Sequence, residues 1–191
     1  MQLLPRKKGL QTAGLCSIIG FGESGQNWSK VEETAQVTAR IEPPLGTFTS
    51  RVDDKGRLKL PSAFKEYLTN IGDRRVFVTS LDNRTVRIYP ISVWKANEKF
   101  FEEYTEDPEA AEDIAFIANA NGAGCEMDDQ GRVLVPQELR RDLELENQPV
   151  WLDCYKGSIN VFGKSVFEER RQRAVQGLSD KLRTLRKKGF N

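Results

Sequence analysis

Polar and apolar residues alternate through Phe48, Ser50 and Val52, the period-two pattern of a half-buried strand. Asp53-Asp54-Lys55-Gly56 then breaks the alternation with turn chemistry, since aspartate accepts from nearby amides and glycine tolerates positive φ. Alternation resumes at Arg57-Leu58-Lys59-Leu60, with Leu58 and Leu60 on one face and Arg57 and Lys59 on the other. The stretch predicts a β-hairpin with Lys55 at its tip and Arg57 at its exit. Pro61 suits the first turn of a helix, where its missing N–H is no loss. Phe64, Tyr67 and Leu68 follow as a short amphipathic helix. Val76–Ser80 and Thr85–Tyr89 predict a second hairpin across Leu81-Asp82-Asn83-Arg84, and Pro90 ends it. From Ile91 to about Tyr104 the period is helical, with Trp94 and Phe101 inward.

The same order then returns. Asp53-Asp54-Lys55-Gly56-Arg57-Leu58-Lys59-Leu60-Pro61 recurs as Asp128-Asp129-Gln130-Gly131-Arg132-Val133-Leu134-Val135-Pro136, an offset of 128 − 53 = 75 residues. Downstream, Val76-Phe77-Val78 lines up with Val150-Trp151-Leu152, and Phe64-Lys65 with Leu139-Arg140. Trp94 likewise matches Phe167. The second copy predicts a first strand over Gly122–Met127, a short helix over Pro136–Leu143, and a hairpin of Val150–Asp153 with Ile159–Phe162. From Lys164 a single longer helix is expected, with Phe167, Ala174, Leu178, Leu182 and Leu185 spaced by threes and fours. Two copies of one supersecondary unit too small to bury its strands alone imply face-to-face pairing, an internal dimer in the form of a pseudo-symmetric barrel. The fold class is therefore α+β, mainly β. Its expected parts are an extension over 1–46 with a short helix near 29–39, repeats over 47–94 and 122–165, a helical acidic connector over 95–121, and a basic helix and tail over 166–191.

Charge adds local detail. Twenty-nine basic and 28 acidic residues nearly cancel, so any nucleic-acid surface must come from asymmetry within the chain. Residues 98–113 hold eight acidic side chains against Lys99, and residues 164–191 hold nine basic ones against Glu168, Glu169 and Asp180. The chain has no histidine, which removes Ser-His and Cys-His nucleophiles and histidine metal ligands. Cys16, Cys125 and Cys154 have no C-x-x-C spacing, so neither a zinc site nor a disulfide framework is indicated. No apolar run approaches the roughly 20 residues a membrane span needs. The expectation is a cytoplasmic protein without enzymatic activity, cofactor, metal, small-molecule substrate or membrane association.

The D-x-K-G-R-[LV]-x-[LI]-P element resembles the swapped-hairpin DNA-binding domain of AbrB, SpoVT and MazE-type proteins. Two copies per chain, with Ile88-Tyr89-Pro90-Ile91-Ser92-x-Trp94 between them and an acidic link, are similar to the MraZ family. The resemblance covers about 47–170, and the second copy departs from it in having Gln130 where the first has Lys55. It implies a transcriptional regulator binding direct repeats in the promoter of a division and cell-wall gene cluster, its own gene included. It also implies nucleoid association and self-assembly into a ring. A β-ribbon can enter the major groove, where arginine pairs with guanine edges and lysine neutralises phosphate. Lys55, Arg57, Lys59 and Arg132 are the candidate DNA-binding residues. Asp53, Gly56, Pro61, Asp128, Gly131 and Pro136 are read as turn and helix-start residues. Arg57 and Arg132 have two open roles, as locks on Asp53 and Asp128 or as direct DNA contacts. The alternative class is an antitoxin-like or scaffold module that pairs with a protein partner.

Overall fold

Both repeats lay down their elements in the predicted order. In the computed structural model, which describes residues 41–191, the first repeat forms β1 (Phe48–Arg51), β2 (Arg57–Lys59), α1 (Ser62–Asn70), β3 (Arg75–Thr79), β4 (Thr85–Pro90) and α2 (Ile91–Glu103). The connector contributes α3 (Pro108–Ala120), capped by the Asp107 carboxylate, which accepts from the Ala110 amide. The second repeat forms β5 (Ala123–Glu126), β6 (Arg132–Leu134), α4 (Gln137–Asp142), β7 (Pro149–Tyr155), β8 (Ser158–Phe162) and α5 (Lys164–Val175), followed by α6 (Leu178–Arg186). The extension expected over 1–46 and its helix near 29–39 lie, as far as residue 40, outside the described residues.

The predicted hairpins divide into two kinds. β3–β4 and β7–β8 pair with themselves; Lys156 and Gly157 turn the latter with positive φ at both positions. β1 and β2 do not stay together: apart from a bridge between Val52 and Leu58, β1 pairs with β7 and β2 with β6. β5 correspondingly pairs with β3. The physical reason is burial, because an isolated two-stranded hairpin is marginal in water, whereas exchange lets the apolar faces of both repeats meet. The register obeys a pseudo-two-fold axis. Ser50 opposes Val150 as Cys125 opposes Val76, and Val86–Val161 and Ile88–Ile159 are each other's images. The outcome is a mixed α/β structure with a six-stranded antiparallel sheet, order β1-β7-β8-β4-β3-β5, and a separate two-stranded ribbon, β2–β6. Strand hydrogen bonds do not join the two into the closed barrel expected from the repeat.

The main core belongs to neither repeat alone. Val52, Leu58, Phe64, Leu68, Val76 and Val78 pack with Met127, Val133, Leu145, Val150, Leu152 and Ile159. On the opposite sheet face, α2 covers β3 through Phe77 stacked on Trp94 at 4.3 Å, and α5 covers β7 through Trp151 stacked on Phe167 at 5.0 Å. These are the repeat-equivalent pairs with tryptophan and phenylalanine exchanged. The longer C-terminal helix expected from Lys164 is broken: Gln176 is extended and Gly177 takes φ +64°, the left-handed geometry that ends helices. α6 consequently runs as a second, separate helix.

Candidate nucleic-acid interface

The paired turns are built from local chemistry. In the first, the Gly56 amide donates to the Asp53 carbonyl at 2.9 Å, and the Asp53 amide donates to the Arg57 carbonyl at 2.9 Å. The Asp53 carboxylate accepts from the amides of Lys55 (3.0 Å) and Arg57 (2.8 Å) and from Arg57 Nε (2.9 Å); Arg57 Nη2 stands 2.7 Å away. The second turn repeats this. Asp128 accepts from the amides of Gln130 and Arg132, both at 2.9 Å, and from Arg132 Nε at 2.6 Å. Gly56 and Gly131 supply φ of +79° and +75°, values that β-carbon-bearing residues rarely adopt. Of the two roles left open for the arginines, the lock is therefore present in the geometry. Each guanidinium nevertheless remains partly solvent-exposed.

The ribbon sets which side chains look outward. Leu58 opposes Val133, both fully buried, so their neighbours Arg57, Lys59, Arg132 and Leu134 lie on the other face. Pro61 and Pro136 stand immediately before α1 and α4. Lys55 and Lys59 are exposed, and among the described residues neither side chain makes an ion pair or hydrogen bond. At the equivalent positions the second repeat has Gln130 and Leu134, so the unpaired positive charge of the interface sits with the first repeat. Asp54 is the acidic neighbour of that turn.

Three cations that the sequence reading did not single out shape the turns. Lys65 Nζ donates to the Asp129 carbonyl at 2.7 Å, and Arg140 Nη1 donates to the Lys55 carbonyl at 3.3 Å. Lys65 and Arg140 are repeat-equivalent, so each α-helix props the turn of the other copy; the aligned Phe64-Lys65 and Leu139-Arg140 were the available signal. Arg74 Nη2 donates to the Asp129 carboxylate at 2.6 Å and has no such signal. A β-carbon on Gly56 would stand 1.1 Å from Arg140 Nη1. Gly56→Ala therefore combines left-handed strain with displacement of the Arg140 prop. It should cost about 1–3 kcal/mol, read as a lower urea midpoint; an unchanged midpoint would show that the turn is not held this way.

Acid should loosen both turns. The Arg57 guanidinium first, and the Arg57 amide next, hold the Asp53 carboxyl below its ordinary 3.8. For Asp128 the Arg132 amide leads and its side chain follows. A carboxyl depressed in the folded state stabilises above its unfolded value and loses that contribution as pH falls through the folded one. Stability should thus decline below about pH 3.8, and the double variant Asp53→Asn/Asp128→Asn should flatten that decline. An equally steep acid limb in the variant would assign the effect to other carboxylates.

A family model described as "MraZ protein, putative antitoxin-like" matches residues 118–187. The protein named Transcriptional regulator MraZ of Acidobacterium capsulatum is 34% identical over 124 residues, 65% of this chain and 78% of that protein. Its namesake from Koribacter versatilis is 33% identical over 54% of this chain and 71% of its own length. That of Anaeromyxobacter dehalogenans is 30% identical over 66% and 88%. With the duplicated turns, their exchanged strands and these likenesses together, the chain belongs to the MraZ family.

Proposed function

We propose that this chain is a transcriptional regulator that reads DNA through the outer face of the β2–β6 ribbon. The observation that carries the reading is the outward row of exposed Lys59 and partly exposed Arg57 and Arg132 between two pseudo-symmetric turns, on a ribbon anchored by buried Leu58 and Val133. A two-stranded ribbon fits the major groove. Asp53 engages Arg57 through Nε and Nη2, which leaves the outer edge of the guanidinium free to pair end-on with guanine. The lock and the contact are then one device: an arginine already held in place loses less conformational freedom on binding. Lys55 and Lys59 supply phosphate contacts and salt sensitivity.

In this reading the two repeats act as an internal pseudo-dimer, several chains assemble into a ring, and the ring engages direct repeats by avidity. The target is the promoter of a division and cell-wall gene cluster including the protein's own gene, with repression as the outcome and the nucleoid as the location. A second reading, a module that pairs with a protein partner, draws on the antitoxin-like description of the matching family. The test is a mobility shift on the DNA upstream of the protein's own gene, against a shuffled fragment, at two salt concentrations. Retardation of the native fragment alone supports regulation. No preference at either salt concentration removes it and leaves the partner reading.

A further inference from the structure

We propose that α6 of one chain docks on the α2–α3 helical hairpin of a second copy. α6 places Leu178, Leu182 and Leu185 at i, i+4 and i+7, one stripe of a helix. No residue of α5 or α6 is buried, and Leu185 is 52% exposed. Around the stripe, residues 178–191 carry five basic side chains against Asp180. The α2–α3 hairpin has the opposite character. Phe116 is 70% exposed, one turn beyond Glu112 and Asp113, and Phe100 is exposed with its ring tilted against that of Tyr104, centroids 5.3 Å apart. The acidic run 98–113 flanks these aromatics.

The two surfaces complement each other in apolar character and in charge, and every molecule that carries one carries the other. This favours a second copy as the occupant. DNA would satisfy the cations of α6 but give its leucines nothing to pack against. Because the two patches differ, the contact is heterologous: each docked chain still offers a free α6 at one end and a free hairpin at the other. Such contacts propagate until they close into a ring or run on as a filament. The inference deepens the self-association part of the proposed function and rests on that part alone, independent of DNA.

Light scattering after gel filtration of the full chain tests it, with two variants confined to the two surfaces. Leu182→Glu/Leu185→Glu disables α6, and Phe100→Ser/Phe116→Ser disables the hairpin; circular dichroism checks that both stay folded. The wild type should have a mass several times the 21.7 kDa of one chain. Either variant should weaken assembly by at least about a hundredfold and run as a monomer. Mixed in equal amounts, they should form a dimer and nothing larger, because one intact α6 meets one intact hairpin. A monomeric wild type would remove self-association together with this contact. An assembled wild type whose variants also assemble, or whose mixed variants stay monomeric, would overturn the docking while leaving self-association standing. Loss of binding to DNA or to anionic lipid vesicles in the α6 variant, with its mass unchanged, would reassign that helix.

Discussion

Leu58→Ala should cost about 2–5 kcal/mol of folding stability, while Leu134→Ala, at the position next to its partner Val133, should stay within about 0.5 kcal/mol. Leu58 is fully buried and faces Val133 across the ribbon, next to the pseudo-two-fold axis where both repeats contribute to one core. Truncation there removes contacts from both copies at once, and the strand exchange leaves no independent subdomain to collapse around the cavity. Leu134 lies in the same ribbon with its side chain on the outer face, 51% exposed. Folded domains are stable by only about 5–15 kcal/mol, so the first substitution removes a large share and the second almost none. Urea unfolding of both variants provides the measurement. Equal losses would mean that the ribbon is not packed on the core as described.

The double variant Arg57→Ala/Arg132→Ala should abolish sequence preference for the promoter fragment. An arginine paired bidentately with guanine discriminates by about 1–3 kcal/mol, so two together are worth at least tenfold. Lys59→Ala should behave differently, weakening all DNA about equally and lowering the salt slope by about one. Asp53→Asn separates the two roles of Arg57, since it removes the lock and keeps the cation. If Arg57 contacts DNA, Asp53→Asn should retain more sequence preference than Arg57→Ala. If the arginine serves the turn alone, the two should lose binding together with turn stability. Equal DNA binding by wild type and the double arginine variant would place the contacts elsewhere, the basic C-terminal segment first.

The candidate site was more legible than its packing. Turn positions, the outward row of Arg57 and Lys59, and the inward Leu58 all follow from period-two alternation around an Asp-x-x-Gly turn, which is local information. The asymmetry between the copies, Lys55 against Gln130 and Lys59 against Leu134, could also be read directly. The props were harder to see. Arg140 reaches the Lys55 carbonyl 85 residues away, and only the pairing of repeats places α4 beside the first turn. Arg74 on Asp129 has no repeat counterpart to betray it.

By itself, then, the sequence determined the two repeats, the kind of each element and the chemistry of both turns, because periodicity and turn preference act over a few residues. It also contained the break at Gly177, although the leucine spacing favoured one continuous helix. Tertiary structure alone decided which strands are partners. β1 could bond to β2 or to β7 with similar backbone geometry, and the choice falls to the arrangement that buries the apolar faces of both repeats against each other. Such burial is a property of two segments about 100 residues apart, Ser50 lying opposite Val150, and no local pattern in either one records it.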